Sequence, residues 1–367
     1  MKVAGVAMRP LRASPGRDAV QVIDQRLLPH RLLLETLSTP AQVFTAICDM
    51  WVRGAPLIGA TAAYGLALQM NRDASDCALE ETADLLRQAR PTAVTLDWAI
   101  TRMLTLLRPV AAADRQRAAW EAADAIAEED VRVNEAIGKH GLALLQAIAD
   151  QKIAAGKPDP VQVLTHCNAG WLATVDWGTA TSPIYQAHAA GLPVHVWVDE
   201  TRPRNQGASL TAWELGQAGV PHTLVADNAG GHLMQHGQVD IVIVGCDRVT
   251  ARGDACNKIG TYLKALAARD NGVPFYVAMP TSTLDLSLHD GVAEIPIEDR
   301  SGREVTHLAG RTAQGEVVEV CITAEGTRAA NPAFDVTPAR LVTGLITEHG
   351  IVPAEEGALH HLMESLR

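Results

Sequence analysis

The sequence predicts an α/β protein, with a smaller, mainly helical α+β N-terminal domain over residues 1–145 and a Rossmann-like parallel-sheet C-terminal domain over 146–367. Three observations carry this. The length of 367 residues exceeds the usual single hydrophobic core and favours about two domains. Long Ala- and Leu-rich helical patterns dominate the first part, whereas five short apolar runs recur through the second, with helical patterns between several of them. Strands alternating with helices imply βαβ units, which build a parallel sheet covered on both faces.

Taken in order, residues 19–30 (AVQVIDQRLLPH) alternate like one or two short strands, and helical spacing follows Pro40 within 31–49. From Pro56 the stretch PLIGATAAYGLALQM reads as a helix with proline in its first turn, where the missing N–H costs nothing. Helical patterns continue at 76–89, 95–108 and 114–149. The last exceeds the usual helix length, which predicts a break inside it. QKIAAGKPDPVQ has the Gly, Pro and Lys content of a surface connection. Beyond it lie VQVLTHC (161–167), VHVWVDE (194–200), HTLVAD (222–227), DIVIVGCD (240–247) and PFYVAMP (274–280). Each ends in polar or unusual residues, such as HCNAG, DETRPRNQG and CDR. Ligands of open α/β sheets bind beyond the carboxyl ends of the strands, so the site is expected on that edge.

Composition excludes several function classes. With 47% hydrophobic and 20% charged residues the chain is a packed globular protein. A net charge of -11 argues against broad nucleic-acid binding or adhesion to an anionic membrane, so an anionic substrate must meet locally placed cations. Three Phe and four Tyr make a base-stacking platform improbable. The N-terminal MKVAGVAMRPLRASPGRD lacks a signal-peptide core, and no window reaches ~18 uninterrupted apolar residues, so a soluble cytoplasmic protein is expected. Cys48, Cys77, Cys167, Cys246, Cys256 and Cys321 form no CxxC pair and no metal-ligand spacing. Neither GxGxxG after the first strand nor GxxxxGK[ST] occurs. No metal and no cofactor are expected.

Cys167 stands between a strand and a Gly-containing turn into an expected helix, where free N–H groups would lower a thiol's pKa. A buried structural cysteine is the alternative. Asp247 ends the apolar strand IVIVGC; desolvation there would favour its protonated form, a proton donor near neutral pH, while the adjacent Arg248 would oppose the shift. A structural Asp–Arg pair or helix cap is its alternative. Asp199 and Glu200 read as partners of Arg202 and Arg204. Anion-binding candidates are Arg53-Gly54-Ala55 before the Pro56 helix, Arg90 in ARPTA, and Asn257-Lys258 in GDACNKIGTY. Solvated surface residues are the competing reading for each. Gln206 can meet a sugar hydroxyl or cap the following helix. His166, His195 and His222 read as strand residues, because no HxxxH or HExxH spacing occurs.

The segments RGAPLIGATAAYGLAL, ARPTAVTLDWA, VLTHCNAG, GTATSPI, VWVDETRPRNQGASLTAWEL, GCDRVTARGDACNKIGTY, SGREVTHLAG and NPAFDVTPARLVTGLITEHGI together resemble the methylthioribose-1-phosphate isomerase family, from about residue 20 to 352. That fold is shared with ribose-1,5-bisphosphate isomerases and with regulatory subunits of a translation-initiation exchange factor, so fold alone does not settle function. The resemblance implies an aldose-ketose isomerase of methionine salvage, converting 5-methylthioribose 1-phosphate to 5-methylthioribulose 1-phosphate without a cofactor. It makes Cys167 and Asp247 catalytic, and Arg53, Gly54, Ala55, Arg90, Gln206, Asn257 and Lys258 substrate contacts. It also implies a homodimer, for which ARLVTGLITEHGI is a candidate segment, core packing being the alternative. Cys246 and Cys256 stand where the family commonly has alanine, and Cys246, next to Asp247, suggests oxidation sensitivity. At C5 a methylthio group requires an apolar pocket, for which Trp51 and Tyr64 are candidates, again against core packing. Related pentose 1-phosphates as substrates, or a non-catalytic regulatory sugar-phosphate-binding subunit, are the alternative functions.

Overall fold

A computed structural model describes residues 1–90 and 93–366. Pro91 and Thr92 of the ARPTA motif, and Arg367, lie outside the described residues. Strands β1 (Leu11–Ala13), β2 (Val20–Ile23) and β3 (Leu34–Leu37) form a small antiparallel sheet. Helices α1 (Pro40–Cys48), α2 (Ala55–Met70), α3 (Asp76–Gln88) and α4 (Val94–Leu107) follow. α2 is apolar on every side and correspondingly buried on every side, so it forms the centre of this region's core, with Leu57, Leu66 and Leu68 fully covered.

The break expected within 114–149 does not occur. A single helix, α5, runs from Ala112 to Ala154, passing residue 145 without interruption. Its length is sustained by packing along its whole course. Trp120, Ala123 and Ile126 join the N-terminal core, whereas Ile137, Leu145 and Ala149 pack on the large sheet. Where α5 crosses α6 (Ser182–Ala189) it carries Gly138, because a Cβ there would stand 2.2 Å from Ser182 Oγ.

The five apolar runs supply strands β4 (Val161–Thr165), β5 (Val194–Asp199), β6 (His222–Val225) and β7 (Ile241–Val244), then, after the hairpin strands β8 (Arg248–Thr250) and β9 (Ala255–Lys258), β10 (Phe275–Ala278). Strand β11 (Phe334–Thr337) pairs with β9. β12 (Gly344–Thr347) and β13 (Gly350–Val352) complete a seven-stranded sheet ordered β13-β12-β10-β7-β4-β5-β6, parallel except for the edge strand β13. Within ARLVTGLITEHGI, Gly344–Thr347 form β12 and are buried at every position, so that part is core. Alternating side chains serve the two faces. Val161, Val163, Ile241 and Ile243 pack under α5 and α6, while Leu164, Val242 and Val244 meet α8 (Ala229–Gln235) and α9 (Thr261–Asp270) on the other side, α7 (Ala212–Ala218) lying between β5 and β6 in the chain. In chain order the parallel strands read 3-2-1-4-5-6, so the sheet changes direction between β4 and β7. A ligand crevice is expected at the carboxyl ends of those two strands.

Candidate active site

Cys167 follows β4 and Asp247 follows β7, one on each side of that switch point. Both line a cleft together with Arg53, Gly54, Ala55, Arg90, Gln206, Asn257 and Lys258, so the nine candidate catalytic and substrate-contact residues meet in one place.

Cys167 has a left-handed backbone, φ 65°. For a residue other than glycine this costs roughly 1–3 kcal/mol and persists only where neighbours enforce it. Thr201 Oγ1 accepts from its N–H at 2.8 Å, and Thr211 Oγ1 donates to its carbonyl at 2.7 Å. The buried thiol donates to Gln206 Oε1 at 3.4 Å. Gln206 makes no side-chain cap to the turn it precedes, so its amide serves the cleft. The helix start expected after Cys167 is instead a short 3-10 turn, Trp171–Ala173, with α6 beginning only at Ser182. Burial accordingly pushes the thiol above its ordinary value, and Arg53 and Lys258 pull against it. Cys246 also faces the cleft, but burial pushes its thiol up to about 12, which disfavours the thiolate that oxidation requires.

Asp247 is half-buried, and its N–H donates to the Cys256 carbonyl at 2.9 Å. The chain then turns back through β8 and β9, with Arg248 opposite Cys256, and this hairpin returns Asn257 and Lys258 to the level of Asp247. Arg248 meets Asp285 at 3.6 Å. Asn257 Nδ2 donates to Thr261 Oγ1 at 3.0 Å.

The opposite wall comes from the N-terminal region. Gly54 has φ +93°, and a Cβ there would stand 2.3 Å from the Ala173 carbonyl oxygen, so only glycine brings this chain against the site. Ala55 and Pro56 open α2, whose first N–H groups have no side-chain cap, leaving them available to an anion. Arg53 donates to Asn168 Oδ1 and, at 2.7 Å, to the Asn168 carbonyl. Lys258 donates to the Ala333 carbonyl at 2.9 Å and lies 4.3 Å over the Phe334 ring. Burial lowers the pKa of both cations. Among the described residues neither has a carboxylate within ion-pair distance, and their charge remains for a ligand. The other cleft cations are already matched: Arg90 with Glu298 at 3.5 Å, Arg204 with Glu304 at 2.8 Å, and Arg300 with both.

Arg300, Asn168 and Phe334 were not singled out from the sequence. Asn168 and Phe334 lie inside motifs that carried the resemblance, whereas Arg300 had no local signal. Asp199 does not pair with Arg202 or Arg204; it binds His166 Nδ1 at 3.0 Å and Lys264 at 3.3 Å. His195 and His222 are strand residues bonded to their neighbours. His166, Asp199 and Asp227 bring possible metal ligands within 4.8 Å of one another, but the Lys264 ammonium already supplies positive charge there, donating also to the Asp227 carbonyl at 2.6 Å. Trp51 and Tyr64 do not border the cleft. Trp51 packs beneath Arg26, and the Tyr64 hydroxyl donates to Asp124 at 2.8 Å. A recess that adjoins the cleft has an apolar side, Ile58, Ala93, Ile295, Pro296 and Phe334, facing Arg90, Asp247 and Arg248.

The doubly wound sheet with its N-terminal helical wall is that of a known class: the chain belongs to the initiation factor 2 subunit family, whose sequence profile matches residues 51–354. Within it the chain is 63% identical over 341 residues, 92% of its own length and 93% of the relative's, to a Rhizobium meliloti protein named methylthioribose-1-phosphate isomerase. The crystal structure of 5-methylthioribose 1-phosphate isomerase from Pyrococcus horikoshii is similar at 40% identity and TM-score 0.84, covering 98% of this chain and 96% of that one. The structure of translation initiation factor eIF-2B subunit delta from A. fulgidus is similar at 37% identity and TM-score 0.78, over 95% of this chain and 96% of that one. No helix among the described residues is long and apolar enough to cross a membrane.

Proposed function

We propose that this cleft converts 5-methylthioribose 1-phosphate to 5-methylthioribulose 1-phosphate, as a cytoplasmic, homodimeric isomerase of methionine salvage. The reading places the chemistry in a Rossmann-like C-terminal domain, 146–367, and part of the binding in residues 1–145. Its principal support is the convergence of Cys167 and Asp247 with two buried cations that have no carboxylate partner among the described residues.

The anomeric carbon of this substrate carries phosphate, so the ring must open without expelling it. Asp247, protonated, donates to the ring oxygen as the C1–O bond breaks. A hydrogen then moves from C2 to C1, and the C2 hydroxyl loses its proton to become the ketone. Cys167 either takes the C2 proton as thiolate, leaving an enediolate-type intermediate that is protonated at C1, or stabilises charge while hydride passes directly. Arg53, Lys258 and the α2 N-terminus hold the phosphate, with Arg90 beside them; Gln206 and Asn257 meet sugar hydroxyls. Enclosure of the cleft strengthens these few charges and limits phosphate loss.

The apolar side of the adjoining recess, Ile58, Ala93, Ile295, Pro296 and Phe334, offers contact to a methylthio group at C5. The retained Cys167 and Asp247 favour an enzyme over a regulatory subunit. The test is incubation of purified protein, without added cofactor, with 5-methylthioribose 1-phosphate, 5-deoxyribose 1-phosphate and ribose 1,5-bisphosphate, following ketose by NMR. Preferred turnover of the first is expected; no turnover of any by folded protein would refute the reading. In deuterated water, solvent label at C1 marks the proton-transfer route.

A further inference from the structure

We infer that Glu214 is a positioning residue for the phosphate seat, acting on Arg53 through Asn168. This rests on the reading of Arg53 as a phosphate ligand.

The chain of contacts is continuous and buried. Glu214, on α7, is fully inaccessible. Its Oε1 accepts from Asn168 Nδ2 at 3.0 Å and from the Leu172 N–H at 2.8 Å, and its Oε2 accepts from the Tyr185 hydroxyl at 3.0 Å. Thr211 Oγ1 accepts a second bond from Asn168 Nδ2 at 3.1 Å. With both amide hydrogens of Asn168 committed, its Oδ1 is fixed toward Arg53, which donates to that oxygen and to the Asn168 carbonyl. The guanidinium is thereby held from one side by neutral acceptors only. A carboxylate in direct contact would compete with phosphate for it; one removed by an asparagine orients it without occupying it. Asn168 also follows Cys167 in the chain, so one network sets the thiol's turn and the anion seat together.

Glu214 works here as an acceptor whose distance is set by its side-chain length. Its charge matters less: burial lifts its carboxyl to about 7, so a substantial neutral fraction exists at neutral pH. Glutamine reproduces every contact, accepting from Asn168 and Leu172 with Oε1 and donating to the Tyr185 oxygen with Nε2. Aspartate keeps the charge and withdraws the acceptor by one methylene.

The experiment compares Glu214→Gln, Glu214→Asp, Glu214→Ala and Tyr185→Phe in the full-length protein. It reads KM and kcat for 5-methylthioribose 1-phosphate and calorimetric affinity for inorganic phosphate. Expected are a KM within about twofold of wild type for the glutamine variant and rises of at least ~5-fold for aspartate and ~10-fold for alanine, with kcat changing less and phosphate affinity falling in parallel. Tyr185→Phe, which removes a bond to the same carboxylate without touching Asn168, should leave both constants unchanged while lowering Tm. If alanine prevents folding, the order of glutamine and aspartate decides alone. The inference is overturned if aspartate behaves like wild type while glutamine is impaired, if Tyr185→Phe matches the loss, or if wild type binds no phosphate. A wild type that binds phosphate but turns over no substrate would refute the proposed function and leave the phosphate comparison to judge Glu214.

Discussion

The two walls of the cleft are built differently. Cys167 and Asp247 stand at the ends of central strands, each set by the backbone of a buried sheet, and Cys167 is fixed further by a bond to Thr201 and one from Thr211. Arg53, Gly54 and Ala55 come from the start of α2, an element whose core is a separate set of helices. On the proposed reading the first wall supplies the groups that exchange protons, which need fixed geometry at the reacting atoms. The second supplies the Arg53 guanidinium and free N–H groups, which need only complement a charge. The difference teaches that the two walls should fail separately: one through kcat, the other through KM.

The largest expected effect breaks the first wall. Cys167→Ser and Asp247→Asn should each lower kcat by at least ~100-fold with a smaller change in KM, as steady-state assays of ketose formation would show. A near-normal kcat in either would remove that residue from the chemistry. Arg53→Lys attacks the second wall: losing the fork that bonds Asn168 and, on the proposed reading, holds the phosphate should raise KM ~10- to 100-fold while kcat changes less. If kcat fell as far as KM rose, the division between the walls would not hold.

Gly54→Ala tests how closely the walls must approach. The added methyl is unfavourable twice, at φ +93° and against the Ala173 carbonyl, so thermal denaturation should show a loss of at least ~2 kcal/mol. The smallest effect concerns the segment bridging the walls. Burial opposes ionisation of Glu304, but bonds from Arg300 and Arg204 outweigh it and hold the carboxyl at about 2. A folded-state value below the ordinary one means that this stabilisation is complete above the usual glutamate range and is lost as pH falls toward 2. Glu304→Gln should therefore lower Tm at pH 7 and lower it progressively less between pH 5 and 2.

Much of this was legible in the sequence. The apolar runs gave the sheet and its active edge because parallel strands buried on both faces read as continuous apolar stretches. Motif resemblance gave nine of the residues that line the cleft. Two local inferences failed for one reason, that tertiary contacts override local pattern: α5 runs unbroken because both cores pack on it, and the Cys167 thiol is raised because burial outweighs local N–H groups that no helix organises. The recess beside the cleft was placed on Trp51 and Tyr64, but it draws Ile295, Pro296 and Phe334 from far along the chain, and no sequence spacing encodes that meeting. Glu214 was hidden similarly, since a glutamate in a short helix carries no sign of its burial.

The most direct test of the division of labour is to titrate Cys167→Ser with 5-methylthioribose 1-phosphate by calorimetry and to follow the same sample by NMR. Saturable binding close to the wild-type KM, with ketose formed at least ~100-fold more slowly, is the predicted result. Turnover at the wild-type rate, or loss of binding by a folded protein, would contradict it.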